Sequence, residues 1–139
     1  MTVLAWDGKL LAADRQATFS DIAVPHTKIH RYNAELIGLV GGIQECLVFL
    51  EWYKNGCNNP KPIFVEGFGA YIVKDGQLWK YEHLLMPMLM AMPFWAAGCG
   101  RDYAMGAMAA GKDAREAVEI ACRFDINCGL GVDVLMAEK

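Results

Sequence analysis

The chain has 139 residues, of which 55% are hydrophobic, and its formal net charge is −3. This length suits one compact domain, and the hydrophobic content lies well above that of disordered segments. The weak negative charge gives no electrostatic reason to expect nucleic acid or an anionic membrane as a partner. Neither a long apolar run nor a basic segment followed by an apolar core is present, so the sequence predicts no transmembrane helix and no signal peptide. We expect one cytoplasmic domain over residues 1–139.

Short strands dominate the prediction for the first 40 residues. Two apolar runs, residues 2–6 and 10–14, flank Asp7-Gly8-Lys9, and an Asp-Gly pair between such runs is typical of a tight hairpin turn. Further strands are expected at residues 23–25, 29–31 and 35–40, and a helix at residues 43–55. The apolar face of that helix is expected to carry Cys46, Leu47, Leu50 and Tyr53, which follow helical spacing.

The middle of the chain predicts a second hairpin and a methionine-rich segment. Another Asp-Gly pair joins residues 63–73 to residues 77–81. Methionines then alternate from Met86 to Met92, and packing against a core or a neighbouring subunit explains them better than binding of a soft metal. Because Pro87 and Pro93 cannot donate to a ladder, we do not expect this segment to be a central strand.

The last third predicts two helices between two strands. The expected elements are a strand at residues 95–98, helices at residues 101–110 and 114–124, and a strand at residues 131–136. Asp113 precedes the second helix and Glu116 stands at its third position, which is typical of a capping box. Strands, one helix, more strands, two helices and a strand together suggest a layered α+β sandwich.

The cysteines and histidines give no metal-binding pattern. The five cysteines never fall into C-x-x-C spacing, which argues against a zinc site or a redox dithiol and favours reduced, mostly buried thiols. His26, His30 and His83 add no cluster of ligands. We therefore expect neither a metal nor a cofactor.

Thr2 follows the initiator methionine. Removal of Met1 gives a residue that carries a hydroxyl nucleophile and a free α-amine, and such an amine is able to activate the hydroxyl as its base. The reference pKa of an α-amine, roughly 7.7–8.0, is close to neutral pH, where a general base is most useful. Many ordinary proteins also begin Met-Thr, so this position gains weight only from the rest of the chain.

Several stretches, in their order and spacing, resemble a known family. They are Thr2 and residues 11–18, 28–31, 39–42, 97–104 and 125–132. Together they are similar to the proteasome β-subunit superfamily of N-terminal nucleophile hydrolases, most closely the bacterial HslV-type threonine peptidases. The resemblance implies a four-layer αββα sandwich with a shortened first helical layer, because only residues 56–62 stand where a second helix is usual.

The resemblance implies a role for four residues near the start of the chain. Thr2 would be nucleophile and base, and Asp14 and Lys28 would form a buried ion pair beside it. The lysine charge would disfavour a second positive charge on the amine. The backbone N–H of Gly41 would face the developing oxyanion. Without the resemblance, the favoured interpretation of Asp14 is a turn residue after the hairpin, and that of Lys28 is a solvated charge on a strand edge.

The resemblance also assigns Cys99, Asp125 and Cys128 to the catalytic site. At both cysteine positions the family usually has serine, and a thiol is a weaker hydrogen-bonding group than a hydroxyl. These replacements weaken the proton relay around the nucleophile. A cysteine nucleophile at either position is a less favoured alternative, since neither cysteine has an obvious paired histidine.

The activity that the resemblance implies is threonine-type peptide hydrolysis within a homo-oligomeric ring. The substrate would be a peptide or an unfolded protein, and an ATP-dependent unfoldase is compatible as a partner. Two alternatives remain: a catalytically weak or inactive ring protein with a scaffold or decoy role, and an amidase that acts on a small molecule. The thin helical layer, with residues 56–62 near it, predicts a subunit contact on that side.

Overall fold

The computed structural model describes residues 2–138, and within them the chain forms eleven strands and three helices. The strands are β1 Val3–Trp6, β2 Leu10–Asp14, β3 Gln16–Phe19, β4 Ile22–Pro25, β5 Ile29–Tyr32, β6 Glu35–Val40, β7 Gly69–Lys74, β8 Gln77–Tyr81, β9 Met88–Met90, β10 Trp95–Gly98 and β11 Val132–Met136. The helices are α1 Ile43–Lys54, α2 Arg101–Ala109 and α3 Ala114–Phe124.

The first sheet is antiparallel and has the order β10-β1-β2-β11. The turn of its β1–β2 hairpin lies at Asp7-Gly8-Lys9, as the Asp-Gly pair predicted. Asp7 stabilises the turn, because one of its carboxylate oxygens accepts from the backbone N–H of Lys9 at 2.8 Å and of Leu10 at 2.7 Å. Its other oxygen accepts from the backbone N–H of Ala114 at 2.8 Å, which ties the turn to the start of α3.

The second sheet has the order β5-β6-β7-β8-β9, and β3 and β4 form a separate hairpin. The methionine segment contributes β9 at the edge of the second sheet, as its two prolines predicted. Two strand predictions were wrong. The strand expected from residue 63 begins only at Gly69, because residues 63–68 pair with no strand, and β3 was not predicted at all.

Three apolar cores separate four layers, which confirms the predicted αββα sandwich. The helices α2 and α3 pack on the first sheet, where small residues such as Ala104 and Ala117 let them approach closely. Because side chains alternate along a strand, Val3 faces these helices while Leu4 faces the second sheet. Helix α1 covers the outer face of the second sheet, with Phe49 at the centre of that core.

The α1 layer is a single helix, as the shortened chain predicted. Residues 55–68 are irregular, and Phe68 at their end packs in the same core as Phe49 and Trp52 of α1. One prediction for α1 was wrong: Leu47 does not belong to the buried face and is 56% exposed. The buried face of α1 instead includes Phe49 and Trp52.

The two C-terminal helices begin differently. At α3 the side chain of Asp113 accepts from the backbone N–H of Glu116 at 2.8 Å, and the Glu116 carboxylate accepts from the backbone N–H of Asp113. This confirms the predicted capping box, whereas α2 begins at Gly100 with no side-chain cap. Among residues 2–138 no helix has the length and apolar character needed to cross a membrane.

Candidate active site

Asp14 and Lys28 form a buried ion pair between the two sheets. Asp14 ends β2, Lys28 precedes β5, and the Lys28 Nζ lies 2.8 Å from Asp14 Oδ1. Asp14 is 0% exposed and Lys28 6% exposed. Neither a solvated lysine nor a surface turn residue describes these positions. Burying both charges is tolerable because each compensates the other, and removal of one partner leaves an uncompensated charge.

Hydrogen bonds fix the Asp14 carboxylate from both sides. Oδ1 accepts from the backbone N–H of Val3 at 3.0 Å in addition to Lys28. Oδ2 accepts from the backbone N–H of Gln16 at 3.2 Å and of Gly129 at 3.1 Å. The carboxylate thus ties the residue after Thr2 to Lys28 and to the segment that follows α3. The resemblance assigned no role to Gln16 or Gly129, and both act through the backbone.

Thr2 is 7% exposed and lies just before β1. Its carbonyl oxygen is 3.3 Å from the backbone N of Gly100, which donates to it, and 3.4 Å from the Cys99 Sγ. Gly98 makes this approach feasible: its φ is +92°, and a Cβ there would lie 2.0 Å from the Thr2 oxygen. Met1, whose removal the predicted mechanism requires, lies outside the described residues.

A cleft of about 730 Å³ opens beside Thr2, between the β3–β4 hairpin and the start of α1. Thr2, Lys28 and Gly41 all line it. Gly41 has a φ of +127°, and a Cβ at this position would come within 3.2 Å of the Phe68 Cα, so glycine is required where β6 turns into α1. Burial, followed by the Lys28 charge, lowers the pKa of His26 in the cleft wall, which leaves its imidazole neutral at pH 7.

Cys99, Asp125 and Cys128 meet on the other side of Thr2. The two Sγ atoms are 3.6 Å apart, and one ligand atom from each of the three residues lies within 4.8 Å of the others. The hydrogen bond from the Asn127 N–H, at 2.9 Å, is the main cause that lowers the pKa of Asp125, and both thiols contribute. Burial raises the pKa of both thiols above its ordinary value.

The structure therefore brings the predicted site residues into two groups around Thr2. Asp14, Lys28 and Gly41 lie toward the cleft, and Cys99, Asp125 and Cys128 lie toward α2 and α3. All five cysteines are free, as expected, but the prediction that most of them are buried was wrong: Cys46 and Cys128 are buried, Cys57 and Cys122 are partly exposed, and Cys99 is exposed. The sequence did not reveal that Cys99 and Cys128 are in contact, because 29 positions separate them and no short spacing marks the pair.

Comparison with known proteins identifies the fold. No protein-family model matches the chain, and no curated protein matches it. Among solved structures, the chain is similar to Thiobacillus denitrificans BPH in complex with epoxomicin, at 19% identity and a TM-score of 0.75, with 100% of both chains covered. It is also similar to the eukaryotic HslV from Trypanosoma brucei, at 19% identity and a TM-score of 0.66, with 99% of both chains covered. The chain thus shares the αββα fold of these BPH and HslV structures.

Proposed function

We propose that this chain, which shares the fold of HslV and BPH, is a threonine peptidase whose nucleophile is Thr2 after removal of Met1. The observation that carries the proposal is the position of Asp14 Oδ1. This single oxygen accepts from Lys28 Nζ and from the N–H of Val3, the residue directly after Thr2. A buried lysine is thereby held next to the start of β1, at the wall of a cleft that Thr2 also lines.

The proposed reaction proceeds through an acyl-enzyme. The α-amine of Thr2 takes the hydroxyl proton as the oxygen attacks the substrate carbonyl, and the N–H of Gly41 stabilises the resulting oxyanion. The protonated amine then gives its proton to the leaving amine, and the acyl group stays on the Thr2 oxygen. Water, deprotonated by the same amine, releases the acyl group as a carboxylic acid and restores the enzyme.

The cleft favours a peptide side chain as the group next to the scissile bond. Its volume of about 730 Å³ is in the usual range of about 300–1,000 Å³ for ligand pockets. Leu39, Ile43 and Leu50 give it apolar walls, and Glu45 and His26 give it polar ones. We expect an apolar or neutral residue on the acyl side of the cleaved bond. An unfolded protein would present such side chains in an extended strand.

We also propose that the chain assembles into a closed homo-oligomeric ring, of six or seven subunits if it follows the HslV pattern. Exposed apolar side chains support association on the α1 side. Leu47 and Val48 are exposed on α1, and in the irregular segment next to it Ile63 is 96% exposed and Val65 71% exposed. Patches of this kind normally mark contact surfaces. Native mass spectrometry that gives only a 15 kDa monomer at micromolar concentration would overturn this part.

A catalytically weak or inactive ring protein is the second candidate, and one observation favours it. Thiols occupy the Cys99 and Cys128 positions, and burial raises the pKa of both, so both are neutral near pH 7. Neutral thiols are weak hydrogen-bonding groups. If the amine of Thr2 requires stronger partners there, the ring would assemble but hydrolyse peptides slowly.

Hydrolysis of fluorogenic peptides by the Thr2→Ala variant separates the candidates. We expect intact mass to show loss of Met1 from the wild-type protein, and the variant to lose activity by about a thousandfold or more while it still assembles. Ser20→Ala is the control, since it removes a hydroxyl from the β3–β4 turn outside the cleft. Equal activity in Thr2→Ala and the wild type would exclude the threonine mechanism.

A further inference from the structure

The thiol group beside Thr2 has the composition of a metal site. Cys99, Asp125 and Cys128 each present one ligand atom, and these three atoms lie within 4.8 Å of one another. We propose that these residues bind a divalent metal ion of the zinc type, with two thiolates and one carboxylate as protein ligands. Spacing in the sequence argued against such a site, and only the tertiary contact between Cys99 and Cys128 reveals it.

The separation of the sulfur atoms fits tetrahedral coordination. With zinc–sulfur bonds of about 2.3 Å and a tetrahedral angle, two thiolates on one ion lie about 3.8 Å apart. The Cys99 and Cys128 Sγ atoms are 3.6 Å apart without any rearrangement. A disulfide, by contrast, needs a sulfur–sulfur distance of about 2.05 Å and an oxidant to take two electrons. The observed distance is therefore close to that of two ligands around one ion.

The fold holds the three ligands in place. The backbone N–H of Asp125 donates to the Ala121 carbonyl at 2.9 Å, which continues the bonding of α3, and the Cys128 N–H donates to the Asp125 carbonyl at 3.1 Å. The Asn127 N–H donates to Asp125 Oδ1 at 2.9 Å and orients the carboxylate from behind. Such outer hydrogen bonds are usual around metal ligands and raise affinity.

Accessibility and charge are also compatible with a metal. Cys128 is buried and Cys99 is exposed, so the cluster is open to solvent on one side and an ion is able to enter. Binding of Zn²⁺ replaces the two thiol protons, which pass to the buffer. Two thiolates, one carboxylate and the dication leave one negative charge at the site. A soft, partly anionic donor set of this kind suits zinc better than magnesium or calcium.

The metal would act on the proposed peptidase as an inhibitor. The Cys99 Sγ lies 3.4 Å from the Thr2 carbonyl oxygen, so an ion on this sulfur is in the immediate surroundings of the nucleophile. Three protein ligands leave one tetrahedral position open, and the Thr2 amine would fill it. An amine bound to zinc has no lone pair with which to accept the hydroxyl proton. This consequence rests on the proposed function, whereas the metal site does not.

Titration of the reduced, metal-free protein with Co²⁺ tests the site directly. We expect one ion per chain, together with thiolate-to-cobalt charge-transfer absorption in the near ultraviolet, and displacement of that absorption by Zn²⁺. Cys99→Ser should remove about half of the charge-transfer intensity, and Asp125→Asn should weaken binding about tenfold or more. Cys57→Ser, which makes the same change outside the cluster, should bind as the wild type does.

Either of two binding results would overturn the site: no saturable binding of Co²⁺ or Zn²⁺ at micromolar concentration, or equal binding by Cys99→Ser and the wild type. Loss of both thiols as a disulfide under mildly reducing buffer would also overturn it. The inhibitory role has its own test, in which Zn²⁺ suppresses peptide hydrolysis by the wild type and suppresses it less in Cys99→Ser. Metal binding without any peptidase activity would refute the proposed function and leave the metal site standing.

Discussion

The two sides of Thr2 are built from opposite kinds of chemistry. On the cleft side, Asp14 and Lys28 are charged and buried, and the Asp14 carboxylate accepts from four donors. On the other side, Cys99 and Cys128 are neutral thiols, of which one is exposed. Both sides reach the backbone around Thr2, the first through the N–H of Val3 and the second through the Thr2 carbonyl.

This difference determines how much each side tolerates change. A buried charge without its partner costs far more than a weak hydrogen bond, so the ion pair is coupled to the stability of the whole sandwich. The thiols are expected to tolerate replacement by similar side chains, because their contacts are weak and solvent reaches Cys99. The ion pair on the cleft side would thus determine whether Thr2 is held in position. The thiols on the other side would change only the rate of the reaction at Thr2.

Replacement of Lys28 by alanine tests the cleft side and should have the largest effect. Asp14 remains buried without its ion-pair partner, which costs about 3–5 kcal/mol of unfolding free energy, and we expect peptide hydrolysis to fall by about a hundredfold or more. Urea unfolding and steady-state kinetics measure the two effects. Lys74→Ala removes an exposed lysine at the end of β7 and should change neither. A Lys28→Ala protein as stable as that control would contradict the account of the ion pair.

Serine at positions 99 and 128 tests the other side. Cys99→Ser with Cys128→Ser supplies hydroxyls in place of weak thiol donors, and we expect kcat for peptide hydrolysis to hold or rise several-fold. Kinetics on metal-free protein provide the measurement, and Cys57→Ser is again the matched control. A large fall in kcat in the double variant alone would show that the thiols have a chemical role of their own and would support a cysteine nucleophile.

The smallest effect is expected at the start of α3, the helix that leads into Asp125 and Cys128. Asp113→Ala removes the side-chain cap seen at that end and should lower the free energy of unfolding by about 1 kcal/mol, with little change in kcat. Asp102→Ala is the comparison, because Asp102 lies in the first turn of α2, which has no such cap. A large fall in kcat at a temperature where the Asp113→Ala protein is still folded would mean that the thiol side depends on the beginning of α3.

Local turn chemistry explains why much of the fold was predictable. The Asp-Gly pairs located both hairpins, and Asp113 with Glu116 located the start of α3. The apolar segment that includes Ile63 and Val65 was predicted as a strand, because a run of apolar residues does not reveal whether a partner strand exists. In the structure both side chains are exposed and the segment pairs with no strand.

The resemblance predicted the candidate site residues, including the backbone N–H of Gly41, but not the backbone groups that hold Asp14 in place. The resemblance predicted Thr2, Asp14 and Lys28. In the structure Thr2 and Lys28 line the cleft, and Asp14 lies behind Lys28 as its ion-pair partner. The backbone N–H groups of Gln16 and Gly129 hold Asp14, and neither the residue pattern nor the resemblance marked these two donors. Contacts between distant positions, such as Cys99 with Cys128, become visible only when the chain is folded.

Intact mass spectrometry after incubation with a peptide epoxyketone tests most directly whether Thr2 is an N-terminal nucleophile. The reagent combines with a hydroxyl and a free amine on the same residue, so it reports removal of Met1 and reactivity of Thr2 together. We expect a chain without Met1 to gain one adduct, fragmentation to place that adduct on Thr2, and Thr2→Ala to gain none. An adduct on Cys99 or Cys128, or a processed and folded wild-type chain that gains no adduct, would contradict the account.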